Sequence, residues 1–311
     1  MLNLSAMDIK FAIFNEEYAN VTIYGKIVKK GRRIKVLYNS HDLGYLICFT
    51  KYRNGEFMRS YPDNPQKVYY FGTCLVDMFY PGAGMAGIKL LQQNGVKVVF
   101  PSQQTCCGQP AYNSGFPEEA RAVARKQMEL FYKDYPIVVP SGSCAGMMRY
   151  HYPKLFEHDP CIDQVAGFSE RIFELSEFLV HALNIKLEDQ GLPIKVTWHS
   201  SCHALREMEI TEDSKSLIRQ LKNVELVELQ NEQDCCGFGG TFAVKHPAIS
   251  AAMVKDKTAD IRQTGAERLI TGDCGCLMNI SGAMQHQNTL ISGQHLAEFI
   301  WERINAKSST A

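Results

Sequence analysis

The sequence predicts an α/β chain: two pseudo-symmetric repeats, each a parallel β-sheet flanked by helices, behind an N-terminal extension. Two observations predict it. A pattern of strand, cysteine-bearing turn and helix occurs twice in the same order. Strand-like runs also alternate with helix-like runs through both copies, the signature of βαβ units.

The repeat is carried by cysteines. KVYYFGTC ends at Cys74 and KVTWHSSC ends at Cys202. TCCGQP brings Cys106 and Cys107, and DCCGFGG brings Cys235 and Cys236. IVVPSGSCAGMM then carries Cys144, and LITGDCGCLMNI carries Cys276. The two copies are offset by 128 residues at the first cysteine, 129 at the pair and 132 at the last.

In the first copy the expected strands are 68–71, 96–100 and 137–140. AGIKLLQQNG, with apolar residues three to four apart and a closing Gly95, reads as a helix. So does 117–133, which opens with Pro117 and two glutamates. In the second copy the expected strands are 196–198, 224–229 and 268–271, and the helices 211–222, 247–264 and 292–304. Each copy thus reads as a three-strand Rossmann-like unit, over 67–190 and 191–311, with a join near 184–194. Residues 1–66 stand outside the repeat. They are expected to be a small β-rich extension or a poorly ordered leader, with Met58 an alternative start.

Bulk properties narrow the function. Thirty-three basic residues balance thirty-three acidic ones, which argues against nucleic acid or an acidic membrane surface as the main partner. No run approaches the ~20 apolar residues of a membrane helix. The N-terminus lacks the pattern of a secretory signal and INAKSSTA carries no lipidation motif, so a cytoplasmic location is expected. Eleven cysteines in a reducing compartment point to metal or redox chemistry rather than disulfides. There is no GxGxxG after a strand and no Walker A motif. Gly237-Phe238-Gly239-Gly240 follows a Cys-Cys pair and reads as a tight turn.

The strand-end positions of the cysteines give the chemistry a place. Loops at the C-terminal ends of parallel strands converge on one crevice, so Cys74, Cys106, Cys107 and Cys144 are expected to meet in the first copy. Cys202, Cys235, Cys236 and Cys276 are expected to meet in the second. Four converging thiols suit a soft metal centre, iron–sulfur or zinc. A vicinal pair is awkward for compact tetrahedral zinc and suits a larger cluster. Gly108 and Gly237 are expected to leave room for backbone to approach that cluster. Lone cysteines are by default small core hydrophobes, and Cys48 and Cys161 are read so. Cys274 stands two residues before Cys276, without a counterpart in the first copy. His199 and His203 flank Cys202 as ligands, proton relays or donors to sulfur, or as ordinary structural histidines. Asp77 and Arg206 are expected at the surface.

The double Cys-x31–32-Cys-Cys-Gly pattern, closed by a cysteine after a third strand, resembles the CCG cysteine-rich domain. That domain occurs in heterodisulfide reductase and in the iron–sulfur subunit of glycolate oxidase. A chain holding two such repeats, closed by SGSCAGM and GDCGCLMNI, is most similar to the lactate-utilisation protein A (LutA/YkgE) family. The resemblance covers about 67–305. It implies an iron–sulfur oxidoreductase component, with one or two [4Fe–4S] clusters on the eight repeated cysteines. It also implies electron transfer in the oxidation of L-lactate to pyruvate, with companion iron–sulfur proteins. The family pattern ends in Cys-x-x-Cys, whereas Ser141 and Asp273 occupy the first of those places here. Asp273 is therefore a further candidate ligand, and Ser141 a hydrogen-bonding one. Zinc is the alternative occupant of one site. A thiol–disulfide reductase and a zinc-stabilised assembly module are the competing readings, and no residue is assigned to catalysis.

Overall fold

The structure is a computed structural model that describes every residue from 59 to 306 and, before these, the backbone of five strands. β1 (Ala6–Ala12), β2 (Thr22–Lys30) and β3 (Arg33–Asn39) form an antiparallel sheet, and β4 (Lys51–Arg53) pairs with β5 (Glu56–Met58). These belong to a unit spanning Met1–Pro62; a second compact unit spans Asp63–Ala311. Cys48 lies outside the described residues.

The second unit contains two parallel four-stranded sheets of identical topology. In the first half, β6 (Lys67–Tyr70), β7 (Lys97–Val99), β8 (Ile137–Val139) and β9 (Ile172–Glu174) lie in the order β7-β6-β8-β9. In the second, β10 (Ile194–His199), β11 (Val224–Val227), β12 (Arg268–Thr271) and β13 (Ser292–His295) lie in the order β11-β10-β12-β13. Every pairing in both sheets is parallel. The inner strands are largely buried on both faces, as helices on either side require. Val68, Tyr70 and Ile137–Val139 are all fully buried.

The fourth strand of each half corrects the three-strand expectation. Ile172–Glu174 is three residues long, and Ser292–His295 is the polar run SGQH, so neither shows alternation. The helix expected from 292 starts only at Leu296, because the His295 side chain caps it, accepting from the Ala297 amide at 3.1 Å. Three long helices begin where proline at the first position favours them, Pro81–Gln93, Pro117–Leu130 and Pro247–Gln263; a fourth, Cys274–His286, is not among the expected helices and starts behind the Asp273 cap.

The halves are joined by reciprocal packing. The last helix of the second half, Leu296–Ile304, packs on Pro81–Gln93 of the first. The matching turn of the first half, Leu175–Glu177, packs on Thr211–Arg219 of the second, where Ser176 and Ser214 share a 2.8 Å hydrogen bond. Closer to the strand ends, Gly142–Gly146 lies against Cys202–Arg206, and Cys74–Phe79 against Cys274–His286.

The join at 184–193 is irregular but pinned. Arg303 grips Asp189 with two hydrogen bonds of 2.8 Å, and the Asn223 and Gly191 amides donate to the same carboxylate at 2.8 and 3.0 Å. Burial pushes the Asp189 carboxyl up, but these donors outweigh it and hold it below the ordinary carboxylate range. Arg303→Met leaves the carboxylate buried without its counter-charge, and is expected to cost roughly 3–5 kcal/mol in urea unfolding. The lowered value makes the Asp189 contribution complete above the unfolded-state pKa. It is lost as pH falls through the folded-state one, so the difference between wild type and variant shrinks in acid.

Candidate functional site

Four turns at strand ends carry the isolated cysteines, and each is set by a short polar residue that caps the helix behind it. Thr73 accepts from the Val76 amide at 3.3 Å and places Cys74 at the start of its helix. Ser201 does the same for Cys202, accepting from Ala204 at 3.2 Å. Ser141 accepts from the Cys144 amide at 3.3 Å. Asp273 accepts from Gly275 at 3.2 Å, ahead of Cys276. Such caps satisfy amides that a helix start leaves free. Thr73 has φ of 53°, a strained setting for a β-branched residue.

The vicinal pairs sit in loops that end in a left-handed glycine, with φ of 84° at Gly108 and 82° at Gly237. A Cβ at Gly237 would lie 2.7 Å from the Ser250 carbonyl oxygen, and one at Gly108 would lie 3.3 Å from that of Ala120. The glycines are therefore required by backbone conformation and by the helix behind them. Each amide donates to a sulfur, Gly108 to Cys106 and Gly237 to Cys235, both at 3.4 Å.

The eight repeated cysteines come together as two chains of four. Cys74 and Cys106 sulfurs are 3.8 Å apart and Cys107 and Cys144 sulfurs 3.4 Å. Cys202 lies close enough to Cys235 for the two thiols to influence each other, and Cys236 and Cys276 sulfurs are 3.2 Å apart. In each half the second pair is buried and the first half-buried. Both chains line one cavity of about 160 Å³ between the halves. The cysteine spacing predicts a site in each half; that the two face a common space is decided by the packing.

The charges of the sulfurs are unequal. Donation from Cys107 and Cys74 holds the Cys106 thiol well below the usual range, and donation from Cys202 and Cys236 does the same for Cys235. Hydrogen bonds to those thiolates, together with burial, push Cys74, Cys107, Cys202 and Cys236 upward. Each chain thus stabilises one thiolate and resists a second, because adjacent anions repel in a low dielectric. A metal cation removes that obstacle by taking the place of protons. Sulfurs this close can share one metal ion, since thiolates ~2.3 Å from a tetrahedral ion lie ~3.8 Å apart. Each half therefore offers two two-sulfur clamps, a donor set that fits a polynuclear sulfur-bridged centre.

The remaining candidates divide. Asp273 lines the cavity, but its carboxylate is engaged across the halves. It accepts from the Ser141 hydroxyl at 3.2 Å and the Ser143 amide at 2.9 Å. The two places that hold cysteine in the family pattern thus meet each other. His203 also joins the halves, its Nε2 lying 3.1 Å from Gln109 Nε2 and its Nδ1 3.5 Å from the Cys202 sulfur. The one sequence signal for Gln109 is its place immediately after the Cys-Cys-Gly run. Cys274 borders the cavity and packs beside Val76 and Ala83 of the first half, where burial raises its thiol. His199 is fully buried with neither ring nitrogen partnered. Burial, aided by Lys257, pushes it down to about 3, so the ring is neutral. Cys161 lies away from the cavity, 3.4 Å from Arg125 Nη1. Asp77 and Arg206 are exposed.

The arrangement has counterparts among known proteins. The family model described as a cysteine-rich domain, CCG, matches residues 68–149 and again 196–281. Lactate utilization protein A of Shouchella clausii is 45% identical over 233 residues, covering 74% of this chain and 96% of that protein. The proteins of the same name from Bacillus licheniformis and Bacillus subtilis are 43% and 41% identical, each covering 76% of this chain and 100% of its relative. In fold, the chain is similar to the crystal structure of a hypothetical protein from Helicobacter pylori. The TM-score is 0.56 at 11% identity, over 81% of this chain and 52% of that one. Among the described residues, no helix is long and apolar enough to cross a membrane.

The glycine geometry yields a graded test. Gly108→Ala meets the left-handed penalty, about 1–2 kcal/mol, and a tight 3.3 Å approach to the Ala120 carbonyl oxygen. Gly237→Ala adds a backbone collision and should lower the thermal midpoint of the metal-free protein further, measured by circular dichroism. Equal shifts would show that the collision is absorbed.

Proposed function

The chain belongs to the lactate utilization protein A family of CCG cysteine-rich-domain proteins, and from that membership we propose that it is an iron–sulfur oxidoreductase component carrying electrons in the oxidation of L-lactate to pyruvate. The observation that carries this reading is the pair of four-sulfur chains facing one cavity. Cys74, Cys106, Cys107 and Cys144 would hold one centre, and Cys202, Cys235, Cys236 and Cys276 the other, each a [4Fe–4S] cluster in this proposal. When bound, such centres supply one-electron redox steps. Lactate oxidation releases two electrons and two protons, and companion iron–sulfur proteins of the same system would share the work.

The chain's own contributions are positional. The Gly108 and Gly237 amides stabilise anionic sulfur. Tyr152 donates to the Cys107 carbonyl at 2.8 Å, and Asn279 to that of Cys236 at 2.7 Å, which fixes both vicinal pairs from behind. Burial of Cys107, Cys144, Cys236 and Cys276 keeps water from the inner clamps.

Thiol–disulfide exchange is the second reading. It is favoured by the low-lying thiols of Cys106 and Cys235, each beside thiol partners. Purification without oxygen separates the two. The iron–sulfur reading expects brown protein with about four or more irons and matching sulfide per chain. The alternative expects colourless, iron-free protein whose thiol count changes reversibly. Cys107→Ser or Cys236→Ser should at least halve the iron, while Cys161→Ser should leave it unchanged. Equal losses from all three variants would remove the ligand assignment.

A further inference from the structure

The two halves match in the placing of their first cysteine turn, yet at one buried position an imidazole stands where the other half has a benzene ring. Lys67–Cys74 and Lys195–Cys202 align Phe71 with His199, each three residues before the first cysteine and each fully buried. Phe71 behaves as its surroundings ask, with its ring 5.8 Å from that of Phe131 in an apolar cluster. His199 does not. Neither of its nitrogens has a hydrogen-bond partner, and a buried polar atom left unpaired costs about 1–3 kcal/mol.

What faces the imidazole is sulfur. Ligand atoms of His199, Cys236 and Cys276 all lie within 4.8 Å of one another, and all three residues are buried. A small side-chain movement brings such a set to the ~2.0–2.3 Å bond lengths of a metal ion. The nearby cation Lys257 is already committed, donating to the Asn231 carbonyl at 2.6 Å. It too marks a difference between the halves. At its place in the matching helix the first half has Gln127, which exchanges hydrogen bonds with Thr105.

We propose that His199 is a nitrogen donor to the metal centre of the second half, so that the two halves hold chemically different centres. The first is held by thiolates alone. The second is held by thiolates and one imidazole. This rests on the reading that the cysteine chains bind metal, and it adds an order to the two centres. A neutral nitrogen donor raises the reduction potential of a sulfur-bridged iron centre relative to all-thiolate ligation. The second half is then the higher-potential centre, and electrons entering at the first half pass to it.

The test uses the full chain with ¹⁵N-labelled histidine, loaded with iron and sulfide without oxygen and reduced stepwise. Pulsed electron paramagnetic resonance should show a strongly coupled ¹⁵N on one centre and none on the other. In His199→Phe that coupling should vanish and the potential of the same centre should fall, while the other signal and at least half of the iron remain. Only weak, backbone-type coupling in the wild type would overturn the assignment, whatever the variant does, and so decides the matter if the variant fails to fold. If the second half takes zinc, cobalt(II) in its place reports the same nitrogen, and a cobalt site without nitrogen coupling overturns the proposal equally. Failure of the chain to bind any metal would overturn the metal reading itself; metal bound through sulfur alone would overturn only the role of His199.

Discussion

Crowded sulfur is the constraint on which the site depends. Thiols 3.2–3.8 Å apart share protons readily but cannot all become anions in a buried setting. Each half answers in the same way, with one stabilised thiolate at the vicinal pair, an amide from a left-handed glycine beneath it, and neighbours held protonated. That state is poised for a cation. The rest of the structure serves to keep the sulfurs crowded. Parallel strands end at one edge, capped turns hold Cys74, Cys144, Cys202 and Cys276, and helices press the vicinal loops inward.

The second feature is reciprocity. Each half lends its closing element to cover the other's first crossover helix, and each closing cysteine turn packs on the other's opening one. The cavity exists only because of this exchange, since neither half encloses it alone. Pseudo-symmetry also makes departures visible. Where the first half has Phe71, Gln127, Ser141 and Gly142, the second has His199, Lys257, Asp273 and Cys274. A Cβ at Gly142 would lie 2.7 Å from that of Ala204, so that place stays bare in one half while Cys274 fills a pocket in the other. The two sites have one architecture and different surroundings.

Much of this was legible in the residues. The repeated cysteine spacing identified every sulfur in the two chains, and proline marked three of the long helices to within a few residues, though not Cys274–His286. Other parts were not legible, for physical reasons. The fourth strands are three or four residues long, and one is wholly polar, so their pairing comes from the neighbouring strand rather than from propensity. The helix carbonyls that crowd Gly108 and Gly237 from behind come from packing and were not legible either. His199 looked like one of two equivalent histidines beside Cys202. Burial separates them, because His203 reaches Gln109 across the halves while His199 reaches no partner at all.

The order of residues was enough to establish the α/β class, the doubling of the unit and the identity of the thiols. Those properties are local, written in periodicity and in spacing along one chain. Three-dimensional packing alone settled that the two thiol chains share a cavity, that Asp273 meets Ser141, and that one histidine lies beside sulfur without a hydrogen bond. The histidine meets Cys236 and Cys276 of its own half, 37 and 77 positions further on, while the other two depend on contacts between residues some 130 positions apart. Such contacts are set by the packing of helices from opposite halves, and no single stretch of sequence encodes them.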